Sequence, residues 1–298
     1  MTSSTVNTTY EPFALEPEYI EGNRQFIAEL PLRPGQHVLD LACGVGTITK
    51  LLIERQPQLT ILGLDLSRES LLIGRRMFQE RGYTIGAGLI LTKSTGNGSP
   101  RILHIEGTAD RLPFHDSWAD LVFMGHAIHM LPDYVALLKE IHRMLVPGGS
   151  FAFNSSFYAG SQAPGTDHFY QLWWKGASQF IIQRDAELRA QGKPGLKRER
   201  GKAPRAFSSL WPSADEWHGL LKQTGFTIHA THERTVMMTQ RGLETIGSYS
   251  GLAKLMVSGY PVEIASEALV AAVAPAMKES GFDSVPRLWL EVVARKAQ

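Results

Sequence analysis

Two carboxylates flank a glycine-containing segment in the first quarter of the chain. Asp40 lies in the apolar run HVLDLA (37–42), Gly44 and Gly46 follow it, and Asp65 lies near the end of a second apolar run, LTILGLDLS (59–67). Glycines in such a turn let a ligand approach the backbone closely, and the helix that follows presents N–H groups to it. An acidic side chain at the end of the second strand can accept both ribose hydroxyls. This spacing predicts a site for a cofactor that contains adenosine.

Two residues discriminate between the cofactors that such a turn could hold. Thr49 occupies the position at which the dinucleotide fingerprint has Gly or Ala. Asp40, immediately before the turn, would repel a pyrophosphate, whereas its charge complements the cationic S-adenosylmethionine. The residues therefore favour S-adenosylmethionine and disfavour an NAD-dependent oxidoreductase.

Four motifs follow one another along the chain. They are DLACGVG (40–46), GLDLS (63–67), GTADRLPF (107–114) and LVPGG (145–149). In type, order and spacing they resemble the motifs of class I S-adenosylmethionine-dependent methyltransferases, and most of all the small-molecule enzymes of ubiquinone and menaquinone biosynthesis. The resemblance extends over residues 10–155. It implies methyl transfer to an oxygen, nitrogen or carbon atom of a small metabolite, in specialised metabolism, and the aromatic residues of 156–225 favour an apolar or aromatic one.

The resemblance also implies roles for individual residues. The methionine end of the cofactor would lie against the glycine turn, the ribose against Asp65, and the adenine against Leu66. In the family a short acidic or amide residue precedes the alanine that reads the adenine edge; here Thr108 precedes Ala109, and Asp110 is the alternative. The residues implied for cofactor binding are Tyr19, Asp40, Ala42, Gly44, Gly46, Asp65, Leu66, Thr108, Ala109, Asp110 and Gly125. The candidate catalytic residues are His126 and His129, in the segment beside the transferred methyl group.

The elements that must position these residues alternate in the first half of the chain. Short apolar runs are separated by amphipathic segments, which is typical of βαβ units. We expect an α/β, Rossmann-like, doubly wound and mostly parallel sheet, with an antiparallel C-terminal edge strand and helical lid insertions. Residues 83–100 predict an inserted hairpin with LILTK and RILHI as its arms. Asp133 is the predicted N-cap of a helix that ends at PGG (147–149).

Four segments are predicted from these patterns. They are an N-terminal helical cap (1–36), a Rossmann-like core that binds S-adenosylmethionine (37–155), an aromatic-rich helical lid over the substrate site (156–225), and C-terminal edge strands with a helical insertion (226–298). Aromatic residues at helical spacing also suit an ordinary core, but a lid at this point would cover the ligand crevice. The predicted substrate-binding residues are Tyr10, Tyr158, His168, Tyr170, Trp173 and Trp174.

Composition narrows the functional classes. The 298 residues carry 30 Lys and Arg against 29 Asp and Glu, a net charge of +1 that argues against a protein built to bind nucleic acid. One cysteine, Cys43, excludes an internal disulfide and a multi-cysteine metal centre, so no metal is expected. No signal peptide or membrane span is evident, so we expect a cytoplasmic protein that acts on a small molecule, with a homodimer left open. Two alternatives are a non-methylating cyclase or lyase that uses the same cofactor, and a non-catalytic cofactor-binding protein.

Overall fold

The computed structural model describes residues 6–7, 9–86, 90–93, 98–109, 112, 115–199 and 211–298. Its helices are α1 (Glu11–Ala14), α2 (Pro17–Ala28), α3 (Thr47–Arg55), α4 (Arg68–Glu80), α5 (Tyr134–Met144), α6 (Asp167–Ala190), α7 (Ala214–Gln223), α8 (Gln240–Ser248), α9 (Ser250–Met256) and α10 (Val262–Ser280). Its strands are β1 (His37–Leu41), β2 (Thr60–Asp65), β3 (Thr84–Ile85), β4 (Leu91–Thr92), β5 (Arg101–Glu106), β6 (Ala119–Gly125), β7 (Leu145–Ser155), β8 (Phe226–Thr239) and β9 (Ser284–Lys296).

The chain divides into two compact units. The sheet unit comprises Tyr19–Ser161, Trp211–Arg234 and Trp289–Gln298, and the helical unit comprises Met1–Glu18, Gln162–Leu210 and Thr235–Leu288. The predicted cap, lid and C-terminal segments each contribute residues to both units.

The described strands form one mixed sheet in the order β3-β4-β5-β2-β1-β6-β7-β9-β8. The five central strands are parallel, from β5 through β2, β1 and β6 to β7. Strand β9 runs antiparallel to β7. Apolar residues on both faces of β1, such as Val38 and Leu39, are fully buried, as expected for a central parallel strand. The predicted Rossmann-like sheet with an antiparallel C-terminal edge is therefore confirmed.

The inserted hairpin is present at the other edge of the sheet. Strand β4 pairs antiparallel with β5, with Leu91 opposite Ile102 and Thr92 opposite Arg101. The two predicted arms, LILTK and RILHI, are therefore hydrogen-bonded neighbours.

Helix α5 begins where the sequence predicts and ends earlier. The carboxylate of Asp133 accepts a hydrogen bond from the N–H of Ala136, which confirms the N-cap. The helix ends at Met144 and β7 starts directly at Leu145, so PGG (147–149) lies inside the strand rather than at the helix end. The ammonium group of Lys296 donates to the carbonyls of His142 and Leu145, which satisfies acceptors at this helix terminus.

The helical unit is built mainly on the contact between α6 and α10. Gly176 of α6 allows close approach, since a Cβ there would lie 3.0 Å from the Cβ of Ala272. The predicted helical stretch 241–284 is divided into α8, α9 and α10. Its N-terminal part is fixed by the buried Glu16, which accepts hydrogen bonds from Arg241 and Thr245. No helix among the described residues is long and apolar enough to cross a membrane.

Candidate active site

The predicted cofactor residues on β1, β2 and β6 lie at or near the carboxyl-terminal ends of these strands. Strand β1 lies between β2 and β6 in parallel register, with Asp40 opposite Gly63 on one side and Phe123 on the other. The segments that follow the three strands therefore emerge side by side at their carboxyl ends. In open α/β sheets this edge is where ligands bind.

The glycine turn after β1 has the left-handed backbone that its sequence requires. The φ angles of Ala42, Gly44 and Gly46 are 55°, 54° and 81°. A Cβ at Gly46 would lie 2.9 Å from the ring of Phe78, so the turn packs tightly there. A Cβ at Gly44 would meet no atom within 4 Å, which leaves space for a ligand beside the backbone. Helix α3 starts after Gly46 with no side-chain cap, so its first N–H groups are directed towards the turn.

Asp65 ties this turn to the end of β2. One carboxylate oxygen accepts the N–H of Gly44 at 2.8 Å and the other accepts the N–H of Ser67 at 2.7 Å. Each oxygen has a second lone pair, so the carboxylate can still accept ribose hydroxyls.

Asp40 is buried, with 1% of its surface exposed, and only one of its two oxygens is satisfied. Thr49 donates its hydroxyl hydrogen to Oδ2 at 2.6 Å. Oδ1 has no hydrogen-bond partner among the described residues. Burial, opposed by the Thr49 hydrogen bond and reinforced by the charge of Asp65, raises the pKa of Asp40 from 3.8 to about 7. An unsatisfied buried carboxylate oxygen calls for a cationic donor, and the amino group of S-adenosylmethionine is one.

Three rings form a cluster near Asp40. The Tyr19 phenol lies close enough that the Asp40 charge, after burial, raises its pKa. The Tyr19 ring is 5.3 Å from the ring of His126, which packs edge-on against Trp289 at 4.1 Å. His126 has a φ of 50°, and its buried Nε2 has no partner among the described residues. Burial, and secondarily the neighbouring His129, lowers the pKa of His126 to about 3.

Amide side chains connect this cluster to the sheet. The N–H of His126 is directed at both the main-chain carbonyl and the side-chain oxygen of Asn154. Asn154 in turn donates to Asn23, whose own amide donates to the carbonyl of Tyr19. Sequence reasoning missed Trp289, Asn23 and Asn154 because none of them belongs to a motif.

His129 lies in a separate group of polar and aromatic side chains. Its Nδ1 is 3.2 Å from the hydroxyl of Ser155 at the end of β7. Its ring is tilted against Phe157 at 4.4 Å and stands edge-on to Trp211 at 6.3 Å. The contact between His129 and Ser155 is therefore a polar one among aromatic side chains.

The remaining predicted cofactor residues differ in exposure. Leu66 is 71% exposed and Thr108 is exposed, while Ala109 is buried. Gly125 is the last residue of β6 and is partly exposed. Asp110 lies outside the described residues. No group of three metal-binding side chains occurs in the part of the chain that the structure describes.

The predicted substrate residues are divided between the two units. Tyr158 belongs to the sheet unit, is buried, and donates its hydroxyl hydrogen to Glu233 at 2.7 Å. The other five lie in the helical unit: Tyr10, His168, Tyr170, Trp173 and Trp174. Trp173 is buried and donates its indole N–H to the carbonyl of Leu269, whereas Trp174 is 42% exposed. Their contact with a substrate stays a prediction.

Comparison with known proteins decides the family. The model of the methyltransferase-domain family matches residues 39–153. A demethylmenaquinone methyltransferase of Symbiobacterium thermophilum is 35% identical over 205 residues, which is 68% of this chain and 73% of that relative. The chain belongs to the S-adenosylmethionine-dependent methyltransferases. This methyltransferase uses S-adenosylmethionine as its cofactor, and the glycine turn, Asp40 and Asp65 fit that cofactor.

Solved structures support the fold of this methyltransferase. A crystal structure from Bacillus halodurans C-125, described as a methyltransferase, has a TM-score of 0.54 at 15% identity and covers 93% of this chain and 100% of its own. The [4+2]-cyclase SpnF has a TM-score of 0.53 at 17% identity, covering 94% of this chain and 82% of its own. Both likenesses concern the fold alone.

Proposed function

We propose that this methyltransferase acts on an oxygen, nitrogen or carbon atom of a small apolar acceptor with a quinone-like ring in its reduced, hydroxylated form. The observation that carries the proposal is the 35% identity to a demethylmenaquinone methyltransferase over 205 residues. Within the sheet unit, the rings of Phe157 and Trp211 around His129 are in keeping with an apolar, ring-bearing acceptor.

Cofactor binding is assigned to residues of the sheet unit. Asp40 would accept the cofactor's amino group through Oδ1, Gly44 would leave room for the methionine end, and Asp65 would accept the ribose hydroxyls. The exposed Leu66 would pack on the adenine, with Ala109 reading its edge. Bound S-adenosylmethionine supplies a methyl group that is already activated by the sulfonium charge. The protein therefore needs mainly to orient the acceptor and exclude water.

The two histidines would have different roles. The low pKa of His126 keeps it neutral and makes it a poor proton acceptor. It would therefore line the site as an uncharged imidazole that can form hydrogen bonds. The Ser155 hydroxyl lies 3.1 Å from the carbonyl of Phe157 and can donate to it. In that arrangement Nδ1 of His129 donates to Ser155, which orients the imidazole, and His129 would be the general base for the acceptor hydroxyl.

A label-transfer assay tests this function. The full chain is incubated with two reagents, S-adenosylmethionine that carries a deuterated methyl group and a demethylated naphthohydroquinone with a short side chain. The masses of the products are measured by mass spectrometry. We expect one labelled methyl group on the acceptor. Asp65→Asn should lower turnover about 10-fold or more through lost ribose hydrogen bonds, whereas the exposed Glu80→Gln on α4 should not change it.

Two results would contradict the proposal. One is the absence of label on naphthohydroquinone, benzohydroquinone and catechol acceptors by a protein that binds S-adenosylhomocysteine. The other is an altered acceptor that carries no methyl group, which would indicate a cyclase or lyase.

A further inference from the structure

Trp289 is the central member of the ring cluster, although no sequence motif contains it. It lies in β9, is 1% exposed, and contacts His126 at 4.1 Å and Tyr19 at 6.0 Å between ring centroids. Helix α2 is shaped to admit it, because a Cβ at Gly22 would lie 2.6 Å from Cζ3 of the indole. The indole therefore fills a cradle that only glycine leaves open.

The ring of His126 is held on several sides at once. Its main chain adopts φ 50° and is bonded to Asn154, while Trp289 and Tyr19 cover the imidazole. A non-glycine residue in this backbone region is strained, so the surrounding contacts must impose the conformation. Of those contacts, the one with Trp289 is the shortest between rings.

The carboxylate of Asp40 lies near this ring cluster, and its charge bears on the state of the imidazole. Asp40, which would hold the cationic methionine end of the cofactor, is electrostatically coupled to Tyr19. A second cation among these rings would repel the sulfonium, and so the imidazole must stay uncharged.

We propose that Trp289 is a positioning residue, which holds His126 as an uncharged wall beside the sulfonium of S-adenosylmethionine. This inference rests on the cofactor placement proposed above but not on the identity of the acceptor. Burial depresses the pKa of His126 in the same direction. Among the described residues, the titratable groups that face the imidazole are Tyr19 on α2 and His129 beyond β6, with Asp40 next to Tyr19.

The test compares two ligands that differ in one charge. S-adenosylmethionine carries the sulfonium, and S-adenosylhomocysteine has a neutral thioether and the same amino group. The ratio of their dissociation constants, measured by calorimetry, therefore reports charge near the sulfur. Asp40 titrates in the same pH range and also acts on the sulfonium, so the ratio of each variant is compared with that of the wild-type protein at the same pH, which removes the contribution that both share. In the wild-type protein we expect the ratio to change between about pH 5.5 and 8 only through Asp40.

Variants at Trp289 should separate positioning from structural support. In Trp289→Leu, His126 becomes protonated in this range, and relative affinity for the cationic ligand falls about threefold or more below the wild-type value at the acidic end. Trp289→Phe keeps a ring against His126 and should keep the wild-type ratio at every pH. Trp118→Leu is the matched control, because this indole stacks on His37 at the start of β1. An equal loss of affinity for both ligands at every pH would overturn the proposal.

A second measurement covers the case in which Trp289→Leu does not fold. Histidine Cε1 resonances of the wild-type protein are followed by NMR and assigned with His126→Gln. The His126 resonance should not titrate above about pH 5 in the wild-type protein or in Trp289→Phe. Titration of His126 near its ordinary pKa in the wild-type protein would overturn the proposal. Neither measurement needs a methyl acceptor, so a failure of the label-transfer assay leaves this inference standing.

Discussion

Thr49 donates a 2.6 Å hydrogen bond to Oδ2 of Asp40, and Oδ1 of the same carboxylate is buried with no partner in the described part of the chain. Thr49 lies in the first turn of α3, so this bond joins the helix to the end of β1. In the sequence, Thr49 only argued against a dinucleotide. In the structure it orients the carboxylate and lowers a pKa that burial raises. One oxygen is thus committed to the fold, and the other is left for a ligand.

Asp40→Asn should stabilise the protein without ligand and weaken cofactor binding. The pKa of Asp40 is about 7 in the folded protein against an ordinary value of 3.8. The contribution of Asp40 to the free energy of unfolding is therefore fully present below about pH 4 and is lost as the pH rises through about 7. Asparagine avoids this loss. The gain in unfolding free energy, measured with urea, should be about 2–3 kcal/mol larger at pH 8 than at pH 5.

Cofactor binding gives the opposite sign for the same variant. Calorimetry with S-adenosylhomocysteine should show affinity reduced about 10-fold or more at pH 8, because the amide cannot neutralise the ligand's amino group. Asp215→Asn, in the exposed first turn of α7, is the control and should show no difference in stability change between the two pH values. A stability gain of equal size at pH 5 and pH 8 would contradict the buried ionisation.

Thr49→Val should move the pH dependence of cofactor binding. Valine has nearly the shape of threonine but donates nothing, so the pKa of Asp40 should rise further. Affinity for S-adenosylhomocysteine, measured from pH 6 to 9, should then reach its plateau at a higher pH and fall about 3–10-fold at pH 7. Thr49→Ser keeps the hydroxyl and should behave like the wild-type protein. Superimposable profiles for valine and wild type would show that the hydrogen bond does not govern Asp40.

Local sequence patterns were sufficient for the sheet and for the glycine turn. Buried parallel strands are continuous apolar runs, and glycines such as Gly44 and Gly46 favour a turn where φ is positive. Both features can therefore be recognised in the local sequence. The hairpin at 83–100 was likewise predicted from its turn residues. The parallel register then places the segments after Asp40, Asp65 and Gly125 at one edge without further information.

Contacts between residues that are far apart in the sequence could not be predicted from local patterns. Trp289 contacts Gly22 and His126 across more than half of the chain, and Asn23 contacts Asn154 across 131 residues. The start of β7 was also missed, because PGG (147–149) is typical of a helix end. In the structure these residues extend directly from α5 into the strand. Leu145 pairs with Ala119 and Ser150 pairs with Leu121, so PGG lies in an irregular stretch between these two paired positions of β7.

Arg234→Met should destabilise the protein strongly. Arg234 makes hydrogen bonds of 2.7 and 2.9 Å with the two carboxylate oxygens of Glu291, which is fully buried, and also contacts Glu29. Removing the cation leaves a buried, unpaired carboxylate at a cost of about 3–5 kcal/mol. Urea unfolding at pH 7 measures the loss. Arg234→Met combined with Glu291→Leu should recover much of it, and a double variant as unstable as the single one would contradict this explanation.

Gly22→Ala tests the cradle for Trp289 directly. Alanine is a better helix former than glycine, so the local preference of α2 predicts a gain of about 0.5–1 kcal/mol. The new methyl group would, however, lie 2.6 Å from the indole, and displacing a buried side chain costs about 1–3 kcal/mol. We therefore expect net destabilisation in urea unfolding. Gly219→Ala in α7 is the control, because a Cβ there meets no atom within 4 Å. Stabilisation by both substitutions would mean that the indole moves without cost.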